Sequence, residues 1–237
     1  MPNNSREDDL KRRVESWAAS PGGAEVPSEI QQKISRMLAP SLTPVKPLPS
    51  QPMLVWEFIA VFVACTVGLI LILDKAGFHL MTGLQMAVMA AILFSGGVLF
   101  SIALATGMVP GARHRFPSVV LPLSGLGVIT AMALLFPWHT SSAFFSDGWP
   151  CTFLEILIAI PVAVIFWLLA RRGALFASPR LGAVLTSLAV FLALTPLQFQ
   201  CMFQQAPHLL VWHSGAALLF IALGAWIGHV FRHRWIS

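Results

Sequence analysis

An all-α integral membrane protein is the fold class this sequence predicts: a six-transmembrane-helix bundle with a short helical cytoplasmic N-terminal segment. Three observations carry that expectation. Hydrophobic residues make up 57% of the 237 and charged residues only 11%, against about 25% charged in an ordinary soluble domain. Apolar residues run on without the alternation of a strand in six stretches, 53–73, 80–106, 116–137, 151–170, 181–199 and 208–231. Each is about 20 residues, or longer, and at ~1.5 Å per residue that crosses a hydrocarbon core of about 30 Å. Lipid offers the backbone no hydrogen-bond partners, so runs of this kind are read as helices.

The first element in chain order is the segment 1–52, ahead of a transmembrane domain at 53–237. A cleavable signal peptide needs an apolar core near the N-terminus, and none is expected here because residues 1–52 are polar. Ser5 can cap a helix whose first turn holds Glu7, Asp8 and Asp9, with Lys11, Arg12 and Arg13 following. Leu10, Val14 and Trp17 recur at helical spacing and make one apolar stripe. "SPGG" at 20–23 ends it. A second helix opens at "PSEIQQKISRML", where Ser28 and Gln31 fit a capping box and Ile30, Ile34, Met37 and Leu38 form the stripe. The proline-rich stretch 39–52 then reads as a stiff, extended lead into the first span. Two such short helices cannot enclose a core. Their stripes must meet each other, the lipid surface or a protein partner.

The spans acquire a direction from their basic flanks. Of the fifteen Lys and Arg, every one except Lys75 falls before the first span, in the loops after the second and fourth, or in the tail. The positive-inside rule therefore predicts cytoplasmic N- and C-termini. The basic residues are divided among four segments, which reads as anchoring to lipid headgroups and argues against direct nucleic-acid binding. Loops 74–79, 138–150 and 200–207 then face outward.

Individual residues within the spans divide into packing and chemistry. Cys65 is mid-span and reads as a small apolar filler. Glu57 reads as snorkelling at the inner interface, and Trp138, Trp149 and Trp235 as interface belt residues. The unusual stretch is "FQCMFQQAPHLLVWH" at 199–213, which gathers one cysteine, three glutamines and two histidines between apolar runs. Cys201 within it shares its outward depth with Cys151, at the start of the fourth span. Two such thiols could form a reversible disulfide or bind a soft metal ion, with His208 or His213 as added ligands. Glu155 lies one turn below Cys151 and should point into the bundle, since a carboxylate is costly in lipid. His139 and Asp147 lie in the longest outer loop.

Several of these pieces together resemble one family. They are "TPVKPLP" at 43–49, "FWLLARRGALFASPRLGAVLTSLAVFLA" across spans four and five, "QC" at 200–201, and "VWHSGAALLFIALGAWIG" in the last span. The pattern is similar to the NrsF family, six-span bacterial membrane proteins that act as anti-sigma factors of the SigF class. The resemblance implies an alternative sigma factor as partner, a short cytoplasmic segment that binds it, and a pair of outward cysteines linked to stress sensing. By position Cys151 and Cys201 match that pair. The chain departs from the family in having "MFQQAPH" after the second cysteine in place of an acidic run, and His213 where tyrosine is more usual. Its N-terminal segment also looks longer.

On this reading the sigma-factor contact is assigned to Leu10, Val14, Trp17, Ile30, Ile34, Met37 and Leu38. Signal sensing is assigned to Cys151 and Cys201, as a metal pair or a disulfide, with Glu155, His208 and His213 in support. No enzyme activity is expected, since no nucleophile–base pattern, HExxH, CxxC or phosphate loop stands out. The N-terminal segment has no cysteine, which excludes a zinc-binding form of anti-sigma domain there. A small transporter or channel and a membrane thiol redox protein are the alternatives. A second copy of the chain as partner is left open.

Overall fold

The computed structural model describes residues 32–33, 49–73, 76–109, 119–172 and 178–236, the side chains of 120 and 232–236 excepted. The chain divides after Pro47, and the helical bundle belongs to the unit Leu48–Ser237. Of the two expected N-terminal helices only Gln32 and Lys33, both helical and exposed, are among the described residues; Leu10, Val14, Trp17, Ile30, Ile34, Met37 and Leu38 lie outside them. Every element described in this unit is helical: α1 Gln51–Ile72, a short 3-10 turn Ala76–His79, α2 Gly83–Met108, α3 Val120–Leu135, α4 Phe144–Ala170 and α5 Pro179–Gln200. The last helix, α6, begins as Ala206–His208, passes through a π-helical turn at Leu209–Ser214 and continues as Gly215–Ile236.

Five of these, α1, α2, α4, α5 and α6, are long and apolar enough to cross a membrane. α3 is apolar but shorter; its 16 residues rise about 24 Å at ~1.5 Å each. α4 begins at Phe144, seven residues ahead of the position 151 that the sequence predicts. The sequence places the polar "SDG" and Pro150 in the outer loop 138–150. In the fold they are carried inside the helix because Phe144 and Phe145 both pack on Trp212, with ring centroids 5.7 and 5.8 Å away. Cys151 consequently sits two turns into α4 rather than at its start.

α5 is the centre of the bundle. It touches α1, α2, α4 and α6, and every residue from Val184 to Phe199 is buried. α1 by contrast buries one stripe, Leu54, Phe58, Phe62 and Thr66, at successive fourth positions, and leaves Trp56, Val67 and Leu71 exposed for lipid. Small residues set the closest approach. A Cβ on Gly182 of α5 would collide with the carbonyl of Gly224 on α6, and one on Gly228 would strike the carbonyl of Ser178. Without a hydrophobic force between helices in lipid, such close packing of small residues is what holds them.

The bundle has two chemically different ends. At one, Arg172 Nη1 donates to Glu57 Oε1 at 2.8 Å, tying the turn after α4 to α1. So Glu57, read from sequence as a snorkelling residue, has an ion-pair partner. At the other end Thr82 and Gln85 form a reciprocal capping box at the start of α2. Gln85 Nε2 also donates to the Leu135 carbonyl at 2.7 Å, so one side chain serves both α2 and the end of α3. This second end carries Cys151 and Cys201.

Candidate functional site

Cys201 is the C-cap of α5, its N–H donating to the Leu197 carbonyl at 2.9 Å. The loop beyond it is folded back by Gln204, whose Nε2 donates to the carbonyls of Cys201 (2.7 Å) and Gln198 (3.0 Å). Gln198 Nε2 in turn donates to Gln204 Oε1 at 3.1 Å. Ala206 N–H then donates to the Pro137 carbonyl at 2.9 Å, fastening the start of α6 beside α3. Two of the glutamines near Cys201 thus play a structural part, satisfying a buried loop that would otherwise leave backbone carbonyls unpaired.

Cys151 comes from α4. The α4 helix is locked to α6 by two contacts next to it. Gly148, one turn before, lies so close under the Trp212 indole that a Cβ there would collide with it. Thr152 Oγ1, the next residue along, donates to the Trp212 carbonyl at 2.8 Å. Trp212 itself belongs to the π turn, where i→i+5 bonding lets a carbonyl leave the ordinary ladder and take such a partner.

These constraints bring four donor atoms together. Cys151 Sγ and Cys201 Sγ are 3.8 Å apart, and Cys201 Sγ is 3.6 Å from His208 Nε2. The His208 and His213 rings are 5.6 Å apart. One ligand atom from each of Cys151, Cys201, His208 and His213 lies within 4.8 Å of all the others. Phe203 covers His208 at 5.2 Å. The thiols are free. The Cys201 thiol is pushed well above the ordinary thiol range, first by its hydrogen bond to Cys151, then by burial and by charge on Cys151. His213 is fully buried beside the Cys151 thiol, and neither ring nitrogen makes a well-formed hydrogen bond. Glu155 is also buried, with neither carboxyl oxygen partnered.

Of the residues singled out from sequence, then, Cys151, Cys201, His208 and His213 converge. Glu155 sits one turn further into the bundle, and Asp147 is engaged elsewhere, accepting from Ser141 Oγ at 2.9 Å. His139 is exposed and lies outside the cluster. Gly148, Thr152, Trp212, Gln198 and Gln204 are the supporting residues that sequence reasoning passes over. A glycine three positions ahead of a rim cysteine was the available signal for the first.

The family model for negative regulators of sigma F, NrsF, matches residues 38–235. No curated protein matches the chain, and no solved structure does.

Proposed function

Because the chain belongs to the NrsF family, the negative regulators of sigma F, we propose that it is a membrane-bound anti-sigma factor of the bacterial inner membrane. It holds an alternative sigma factor through its cytoplasmic N-terminal segment and releases it when an outer signal reaches Cys151 and Cys201. The family match is the observation that carries this reading, and it makes a sigma factor the partner. The family is regulatory, so the chain works by binding rather than by turnover.

The finer parts rest on physical arguments. Orientation rests on the basic residues, all of which but Lys75 flank the predicted inner side. α3 counts as the sixth span. The contact surface is the pair of amphipathic stripes, Leu10, Val14 and Trp17 with Ile30, Ile34, Met37 and Leu38, oriented by the charges around them. The match begins at residue 38, so Leu38 alone of these residues falls within it and the others are assigned from the stripes. The thiol pair is the part of the outer end that a soft metal ion or an oxidant would alter, and its two members sit on α4 and at the end of the central α5. A tenfold release of sigma factor needs only about 1.4 kcal/mol of coupling between the two ends.

The test is co-purification of a sigma factor with the full-length chain from membranes, beside a chain lacking residues 1–37. The full-length chain should retain the sigma factor and the shortened one should lose it. Equal retention would move the contact into 38–235, and no retention by either would end the anti-sigma reading.

A further inference from the structure

We infer that Cys151, Cys201, His208 and His213 form a closed, four-coordinate Cys2His2 site for a divalent ion of the zinc class. The inference deepens the proposed function by naming what the outer end takes up, and it rests on that reading only for the role of the site as a sensor.

The spacing of the donors suits such an ion. In a tetrahedral site, metal–sulfur bonds of about 2.3 Å and metal–nitrogen bonds of about 2.0–2.1 Å put sulfurs ~3.8 Å apart and sulfur and nitrogen ~3.5 Å apart. The two thiols stand at 3.8 Å, and Cys201 and His208 at 3.6 Å. Both separations match edges of the tetrahedron that such an ion requires, and no separation in the set exceeds 4.8 Å.

His208 and His213 are five positions apart, and in an α-helix at 3.6 residues per turn they would point about 140° away from each other. Widening the helix over Leu209–Ser214 returns them to the same side. A locally expanded helix is a rare feature, found mostly where a site requires it.

His213 is fully buried beside the Cys151 thiol with neither nitrogen in a well-formed hydrogen bond, a condition that costs free energy unless a ligand takes one of them.

Charge decides the class of ion. Two thiolates and two neutral imidazoles around a divalent ion sum to zero, which suits a low-dielectric rim. A monovalent ion would leave one net negative charge buried there, which is unfavourable without a further partner. Four protein ligands leave no open position for substrate, so the site holds an ion and does not activate water. An ion bound here ties α4, the end of α5 and α6 to one point.

The experiment uses the full-length chain in detergent, reduced and stripped of metal by chelator, with Co2+ as an optical probe and Zn2+ as competitor. No sigma factor is needed, so its outcome is separate from that of the co-purification test. One Co2+ should bind per chain, with the intense visible bands of tetrahedral cobalt and a thiolate-to-metal charge-transfer band, and Zn2+ should displace it. His208→Gln and His213→Gln should each weaken Zn2+ binding by ~100-fold or more, beyond the 10–100-fold loss from altering groups that merely orient ligands. His139→Gln, at an exposed position, should change nothing. Circular dichroism of each variant separates loss of a ligand from loss of fold, and either histidine variant suffices. An octahedral cobalt spectrum, or absence of uptake, would overturn the inference. So would histidine variants that bind as the native chain does, since that would indicate a two-thiolate site.

Discussion

Arg172 and Glu57 meet at 2.8 Å across the end of the bundle opposite the cysteines, joining the turn after α4 to the first turns of α1. α1 is the helix that leads on from the N-terminal segment, and α4 is the helix that carries Cys151. The pair therefore links the turn that ends α4, the helix of Cys151, to α1, the helix that follows the proposed sigma-binding segment in sequence.

Both side chains are partly exposed, and an ion pair of that kind contributes about 0.2–1 kcal/mol. Glu57→Gln, Arg172→Gln and the double variant should form a cycle with a coupling energy in that range, read from thermal unfolding in detergent. A coupling of several kcal/mol would mean the pair is shielded by lipid far more than its exposure indicates.

Cys151→Ser and Cys201→Ser should leave sigma factor bound and remove its release by the outer signal. The measurement is transcription from a sigma-dependent promoter with and without added Zn2+ or Cd2+. Constitutive expression in either variant would show that the thiols are needed for holding rather than for sensing.

Thr152→Val removes the donor to the Trp212 carbonyl and leaves a part-buried carbonyl unpaired, a loss of about 1–3 kcal/mol. The π turn should relax toward an α-helix and carry His213 away from the thiols. Expected together are a lowered unfolding temperature and weaker Co2+ binding. A lowered temperature with unchanged Co2+ binding would show that the turn does not depend on this bond.

Glu155 is buried with both oxygens unpartnered, so Glu155→Leu should raise stability by about 1–3 kcal/mol through removal of an unsatisfied group. An ionisable side chain buried within a membrane bundle is a functional-site candidate. The signal response of Glu155→Leu should accordingly fall. A lowered unfolding temperature would instead assign Glu155 a stabilising partner.

The helical fold was legible because its cause is local. An apolar run of span length has one way to satisfy its backbone in lipid, and α1, α2, α5 and α6 can be read from their runs with ends displaced by a few residues. α4 was not read fully. Its first two turns contain Ser146, Asp147, Gly148 and Pro150, residues that favour a loop by themselves. They are helical because Phe144, Phe145 and Gly148 have Trp212 to pack against, a residue more than sixty positions away.

The cysteine pair belongs on the legible side of the division. Cys151 and Cys201 end up at the same depth because the spans that place them alternate in direction, which hydropathy alone determines. The histidines belong on the other side. Helical periodicity sends His208 and His213 to different faces, and nothing in the residues between them announces a π turn. Only packing decides it: the indole of Trp212 wedged against α4, its carbonyl taken by Thr152, and the loop before it held by Gln204. Hydropathy acts on each segment independently and so survives in the sequence. The convergence of four donors depends on distances between segments, which no segment carries alone.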